Sequence, residues 1–302
     1  MDVKYRGKLG SARTELHLDP SGVAVHRIPL LRPGYQVKGV AEYGLISRVG
    51  AMLPLSVAAG SLVRLGRRGD PPDVRFMSRF FVRRPNEALV HGVELVAQAF
   101  ETEPDVLEQE VPKGEERNFY TMELIDDVLA RAAAPSPPDH LRKSFAKMLA
   151  FDALVGAGDR HPSNWGVIEN VVIRSPRSFT PIFDTARGLF LRFSDHQLLD
   201  ASATEASLQQ FVESYAHRSK PLIGTGDPAS INHFDLMRHL HERRTLPYGR
   251  PARALVAAFS PERCRRMLHY RFGRILSRLR LEMIDTLLRY RHRELKKIFG
   301  LP

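Results

Sequence analysis

Three side chains, taken in chain order, have the types and spacing for phosphoryl chemistry: Asp159, Asn164 five residues later, and Asp184 a further twenty residues on, at the end of a predicted strand. Sites that move the terminal phosphoryl group of a nucleotide use one Asp to orient the attacking hydroxyl. An Asn and a second Asp hold Mg²⁺ against the phosphates. Asn suits this task as a neutral oxygen ligand beside a carboxylate, because two hard oxygens satisfy part of an octahedral shell that phosphate oxygens and water complete. The metal is then held only with nucleotide present. Singly these residues say little, since Asp and Asn abound in turns for their own backbone-bonding reasons. A strand-loop-strand ending in Asp and preceded by a long apolar helix is far more selective.

The elements around the three residues supply that context. Leu141, Phe145, Met148, Leu149, Phe151, Asp152 and Leu154 recur at helical spacing over 140–155 and predict a long, largely buried helix that delivers the chain into GAGDRHPSNWGVI. Two short strands are expected around GVIENVVI and FTPIFD. In the loop between helix and strand, His161 is grouped with Asp159 as a catalytic-loop residue, bracing the loop through hydrogen bonds rather than titrating, because phosphoryl transfer has little need of an imidazole base when an Asp orients the nucleophile. Trp165, the single tryptophan, is expected to pack between the loop and the following strand.

Upstream, TELHL and VAVHRI read as strands on either side of the turn signal DPSG, and YQVKG as another after a Pro-Gly break. Residues 42–53 carry a helical pattern that Pro54 ends or kinks. GRRGDPPD at 66–73 is a loop by composition, and VRFMSRFFV at 74–82 a strand. FYTMELI at 119–125 reads as a strand running into a connector, after which DDVLARAAAPSPPD begins as a helix and dissolves into a Pro/Ser/Ala linker. That linker marks the expected lobe boundary, 1–125 against 126–302. Beyond residue 200 the pattern is helical, with Ser260-Pro261-Glu262 as a helix start and a long final helix.

Composition narrows the classes. The chain has 302 residues, 43% hydrophobic and 26% charged, enough for two lobes with substantial cores and unlike a disordered or membrane protein. No apolar run is long enough to span a bilayer, and the amino terminus lacks the apolar core of a signal peptide, so no membrane association and a cytoplasmic location are expected. Cys264 is the single cysteine and excludes an intramolecular disulfide; a buried structural role is expected. The twelve histidines are scattered, and HLHERR lacks the HExxH spacing. Net charge is +11, and residues 265–297 hold eleven Lys/Arg against three acids. This is read as a solvated outer face of the last helix, or as a surface for nucleic acid or an acidic protein.

FDALVGAGDRHPSNWGVI at 151–168 and FTPIFDTARGL at 179–189 resemble the catalytic and metal-binding segments of HipA-like serine/threonine kinases, including the shorter CtkA-type proteins. FMSRFF with NEALVHGVEL, and KPLIGTGDPASINHFDL, extend the resemblance over roughly residues 35–240. It implies an α+β, two-lobed protein kinase-like fold with a small β-rich, nucleotide-binding N-lobe and a mainly helical C-lobe, using ATP and Mg²⁺ on a protein substrate. It also implies roles: Asp159 is catalytic, Asn164 contacts the metal, and Asp184 is the main Mg²⁺ ligand. Lys38 in YQVKG is the match for the strand lysine that contacts ATP phosphates, with Glu42 as its helix partner. Met122, Glu123 and Leu124 fall at the hinge, where adenine is recognised by backbone groups. The sequence departs from the pattern at Ala157, where an Asn often stands, and it has no GxGxxG or Walker A motif, leaving KLGSART at 8–14 as the candidate phosphate loop. Two alternatives stay open: a phosphoinositide-kinase-like or small-molecule kinase, and a non-catalytic pseudokinase or nucleic-acid-binding module.

Overall fold

The computed structural model describes residues 3–9, 12–18, 25–29, 37–65, 73–82, 84–112, 114–173, 175–185, 188–226, 231–243 and 247–302. Side chains are described from residue 41 onward, apart from 64, 65 and 73–75. GRRGDPPD lies outside the described residues except for Asp73, as do Gly10 and Ser11 of KLGSART.

The amino-terminal part is a five-stranded antiparallel sheet of β1 (Val3–Leu9), β2 (Ala12–Leu18), β3 (Val25–Pro29), β4 (Gly60–Leu65) and β5 (Asp73–Arg79), in the order β1-β2-β3-β5-β4. Helix α1 (Val37–Gly50) connects β3 to β4 and lies on the sheet, with the Tyr43 ring 4.8 Å from that of Phe76. Ala41, Leu45, Ile46 and Val49 form its buried stripe at helical spacing. That stripe decides the fate of YQVKG: Val37, Lys38 and Gly39 are the first turn of α1 and not a strand. The expected strand lysine is therefore helical, and its side chain lies outside those described. Glu42 is buried and ion-paired with Arg280 far along the chain.

After β5 the chain crosses to a second, three-stranded antiparallel sheet, β6 (Glu87–His91), β7 (Gly166–Asn170) and β8 (Ser178–Phe179). Helices α2 (Gly92–Ala99), α3 (Pro104–Glu110), α4 (Glu116–Phe119) and α5 (Met122–Ala133) intervene between β6 and the long α6 (Asp139–Val155). FYTMELI is thus not a strand. Thr121 caps α5 by accepting the Leu124 N–H at 3.3 Å, and the buried set Met122, Ile125, Val128, Leu129, Ala132 and Ala133 keeps helical period throughout. The expected boundary at residue 125 falls inside this helix. α6 runs as expected and ends at Gly156, whose φ of +71° is the left-handed conformation favoured at a helix end.

The remainder is helical: α7 (Asp195–Ala201), α8 (Glu205–Arg218), α9 (His233–Glu242), α10 (Gly249–Ala258), α11 (Pro261–Phe272) and α12 (Arg278–Ile298). Ser260 caps α11 as its sequence predicts. The expected single final helix is two, because Ser277 starts α12 with its own cap. Nor is its basic face wholly solvated, since Arg280 and Arg291 are buried. One continuous apolar core runs from α1 through α5 and α6 to α12, and Cys264 is buried in it. Among the described residues, no helix is long and apolar enough to cross a membrane.

Candidate active site

Asp159 stands in the loop that α6 delivers, and Asn164 ends the 3-10 turn Pro162–Asn164 that follows. The Asn164 amide donates to the Asp159 carbonyl at 2.8 Å, so the two predicted residues are tied to each other through the loop's own backbone. Asn164 is fully buried. With its N–H₂ directed at that carbonyl, the other polar atom of the side chain is the amide oxygen, a neutral hard donor of the type Mg²⁺ takes.

Arg160 joins this loop to Asp184. The buried guanidinium makes a bidentate pair with Asp152 of α6 at 2.8 and 2.7 Å, and donates to the carbonyls of Asn164 at 2.9 Å and Phe183 at 3.0 Å. One side chain thereby fixes the backbone of Asn164 and of Phe183, the residue preceding Asp184. Burial works against the Arg160 charge, but the charge of Asp152 and its hydrogen bonds outweigh this and hold the guanidinium above its ordinary value. Burial likewise pushes the Asp152 carboxyl up, opposed by Arg160. With two short charge-assisted bonds we take the pair as ionised.

Asp184 itself is buried, with φ at +49°, a conformation that Asp and Asn tolerate better than most residues. Its approach is pinned from the other lobe: Ile182 donates to Ser56 O at 2.8 Å and accepts from the Ala58 N–H at 2.9 Å. Phe183 packs in a small apolar cluster with Ala58 and Phe81. The Tyr43 hydroxyl of α1 donates to Asp184 Oδ1 at 2.7 Å. Tyr43, Phe76, Ser78 and Ile182–Thr185 line a recess between the five-stranded sheet and this segment.

The site therefore offers an amide oxygen and a carboxylate rather than a full metal cage, and among the described residues no cluster of three His, Cys, Asp or Glu could hold an ion alone. Such a donor pair fits Mg²⁺ shared with phosphates, which keeps most of its shell for phosphate and water.

His161 takes the bracing part expected of it. Its Nδ1 accepts from the Ser163 N–H at 3.3 Å, Ser163 also reaches Glu108 at 3.3 Å, and the imidazole meets the Tyr120 ring edge-on. Trp165 is buried between Phe145 and Phe179, as predicted. The hinge residues are not brought to the site as a connector. Met122 spends its backbone N–H on Gly224 O at 3.0 Å, Leu124 spends its own on Thr121, and the Glu123 carboxylate pairs with Arg243. The crossover between the two sheets is instead the segment after β5 that begins at Phe80, beside the recess. Sequence reasoning also passed over Arg160, Asp152 and Tyr43. Asp152 carried a usable signal, a lone acid on the apolar face of α6, since such a group is buried only with a partner.

No known family profile and no curated protein matches the sequence. Solved structures do. The proinflammatory kinase CtkA of Helicobacter pylori superposes with a TM-score of 0.73 at 15% identity, over 95% of this chain and 93% of that one. The fold is that of the HipA-like kinases. HipA of Shewanella oneidensis MR-1, solved with HipB and operator DNA, matches all of this chain and 67% of its own, with a TM-score of 0.52 and 15% identity. The HipA-like fold accounts for the α+β, two-lobed arrangement expected from the sequence.

Proposed function

We propose that the protein is an ATP- and Mg²⁺-dependent phosphotransferase that acts on Ser or Thr hydroxyls of a protein. The observation that carries this is Arg160, which locks the Asp159–Asn164 loop and the Asp184 segment into one constellation. Asp159 orients the acceptor hydroxyl and takes its proton as the oxygen bonds to the γ-phosphorus. The bond from that phosphorus to the β–γ bridging oxygen breaks and ADP leaves. Asn164 and Asp184 would hold Mg²⁺, which when bound would neutralise negative charge on the phosphates. The Tyr43 hydroxyl, donating to Asp184 Oδ1, orients that carboxylate.

On this reading the nucleotide enters between the five-stranded sheet and the Asp184 segment, where the recess of ≈ 20 Å³ has to widen to admit it, with the connector from Phe80 as the adenine edge. The lobe boundary then falls in that connector rather than at residue 125. That CtkA, of the same fold, is a kinase supports phosphotransfer. HipA was solved with a protein and DNA; for this chain, the exposed Arg265, Arg266 and Arg271 of α11 are the corresponding candidate surface for an acidic or nucleic-acid partner. The buried single cysteine suits a reducing compartment, and we place the protein in the cytoplasm.

The test is transfer of label from γ-labelled ATP to the protein itself and to a generic protein acceptor, beside lipid vesicles. Label in protein but not lipid, abolished by Asp159→Asn, supports the reading. Label confined to lipid would favour the phosphoinositide-kinase-like alternative.

A further inference from the structure

Apart from the recess described above, the structure has an open groove of ≈ 380 Å³, bounded by Gly156 and Gly158 of the loop after α6, by Gly188 and Leu191–Phe193, and by the end of α8 with Ser219 and Lys220. Gly158, at one end of its lining, is the residue before Asp159.

The charge of this groove is one-sided. Arg192, Arg218 and Lys220 stand on its rim, all exposed, and none of its lining residues is acidic. Among the described residues Arg192 and Arg218 meet no carboxylate, and Arg218 only folds back onto Ser214 O of its own helix. A fourth cation lies in the floor. The Arg291 guanidinium is completely buried directly behind Gly156, where a Cβ would stand 3.3 Å from its Nη1. Its partners are the carbonyls of Ala153 and Ala216 at 2.6 and 3.0 Å and the Phe234 ring, with no carboxylate, and its Nη2 has no hydrogen-bond partner. Burial brings Arg291 down to about 10, so it remains cationic at neutral pH. A buried charge is normally paired. This one instead adds its field to a groove already lined with cations, where low-dielectric walls focus it. Burial raises the Tyr215 hydroxyl on the groove wall above its ordinary value, and the charges of Arg291, Arg192 and Arg218 offset part of this. Glu42, the acid that also reaches Tyr215, is already paired with Arg280.

We propose that this groove binds the acceptor, and that it selects a Ser or Thr flanked by acidic side chains. The proposal rests on the phosphotransferase reading for the identity of the reaction, while the groove's preference for an acidic peptide is a binding property that can be read without it. An Asp- or Glu-rich segment laid along Arg192, Arg218 and Lys220 brings its hydroxyl to the end of the groove that Gly158 forms, beside Asp159.

The experiment uses the full chain and three fluorescent peptides with one central Ser, flanked by Asp/Glu, by Gly/Ala, or by Lys/Arg. Binding is followed by anisotropy without ATP, and phosphorylation with γ-labelled ATP, for the native protein and for Arg192→Glu with Arg218→Glu. Both arginines are exposed, so matched thermal melts and an unchanged KM for ATP check that the variant is intact. The acidic peptide is expected to bind and be phosphorylated on the order of ten-fold better than the neutral one, and to lose that advantage in the variant and as salt rises. Acidic binding that depends on the two arginines without any phosphorylation would support the groove while sinking the kinase reading. Equal use of acidic and neutral peptides, an acidic preference unchanged by the double reversal, or displacement of the acidic peptide from the groove by a single-stranded oligonucleotide at far lower concentration would each overturn the proposal.

Discussion

Replacing Arg160 separates the stability of the site from its chemistry. Arg160→Met removes two bonds to Asp152 and the donors to the carbonyls of Asn164 and Phe183, and leaves Asp152, itself 1% exposed, as an unpaired buried acid. Breaking one side of such a pair costs about 3–5 kcal/mol, a large part of a total that is typically about 5–15 kcal/mol. The double variant Asp152→Leu/Arg160→Met removes the stranded charge, and apolar replacement of a buried pair is often close to neutral. Two carbonyls still lack their donor, at about 1–3 kcal/mol each when buried, so the double variant should recover part of the loss and not all of it. Activity should not recover. Misplacing a reacting group by about 1 Å costs on the order of a hundred-fold, and both variants lose the link between the backbones of Asn164 and of Phe183, the residue before Asp184. Urea unfolding gives the stabilities and labelled ATP the turnover. A double variant with near-native turnover would show that Arg160 does not position the site; a single variant within about 1 kcal/mol of native would show that the pair is not buried and ionised as described.

Four further outcomes follow from the same geometry. Asp184→Asn keeps a residue suited to its left-handed φ of +49° and should unfold like the native protein while losing Mg²⁺-dependent nucleotide binding, whereas Asp184→Ala should also be about 1–3 kcal/mol less stable in urea. Tyr43→Phe, which removes the hydroxyl on Asp184 Oδ1, should raise the Mg²⁺ concentration for half-maximal ATP turnover by roughly 10–100-fold, as read in a metal titration. Arg280→Met strands the buried Glu42 and should lower stability by about 3–5 kcal/mol, with Glu42→Gln in the same chain restoring part of it in thermal or urea melts. The fourth concerns acid. Burial holds His233 well below 6.5, with Arg291 adding to the effect, and burial also lowers His292. The unfolded chain therefore binds protons that the native state refuses, so stability is level above pH 6.5 and falls as pH drops below it. The slope is up to about 1.4 kcal/mol per pH unit for each histidine. His233→Gln should flatten that fall in melts between pH 5 and 7, and an unchanged slope would count against the burial of a neutral His233.

Much of the candidate site was legible because its signals are local. The apolar face of α6 and the turn of Asp159 to Asn164 keep their expected places, but the strand expected to end at Asp184 is cut short: β8 covers only Ser178–Phe179, and the chain from Thr180 to Asp184 is held instead by the backbone bonds of Ile182 to Ser56 and Ala58. Two failures came from short windows. FYTMELI looks like a strand over seven residues, but the buried series continues at helical period to Ala133, and Thr121 supplies the cap. Of YQVKG, Val37, Lys38 and Gly39 are likewise the start of a helix that continues past Leu45 to Gly50. What the sequence could not display was long-range pairing. Arg280 meets Glu42, and Arg160 reaches Phe183 O, across spans that no spacing rule covers. Arg291, counted with a basic solvated face, is instead buried against α6 and α8.

The most direct test of the central claim is Mg²⁺-dependent transfer of label from γ-labelled ATP by the native protein, beside Asp159→Asn and Asp184→Asn proteins shown to be folded. The constellation of Asp159, Asn164 and Asp184 predicts label on a protein Ser or Thr with the native chain, at least a hundred-fold less with Asp159→Asn, and loss of Mg²⁺ dependence of ATP binding with Asp184→Asn. Undiminished labelling by either variant, or a native protein that neither binds ATP with Mg²⁺ nor transfers its phosphate, would contradict it.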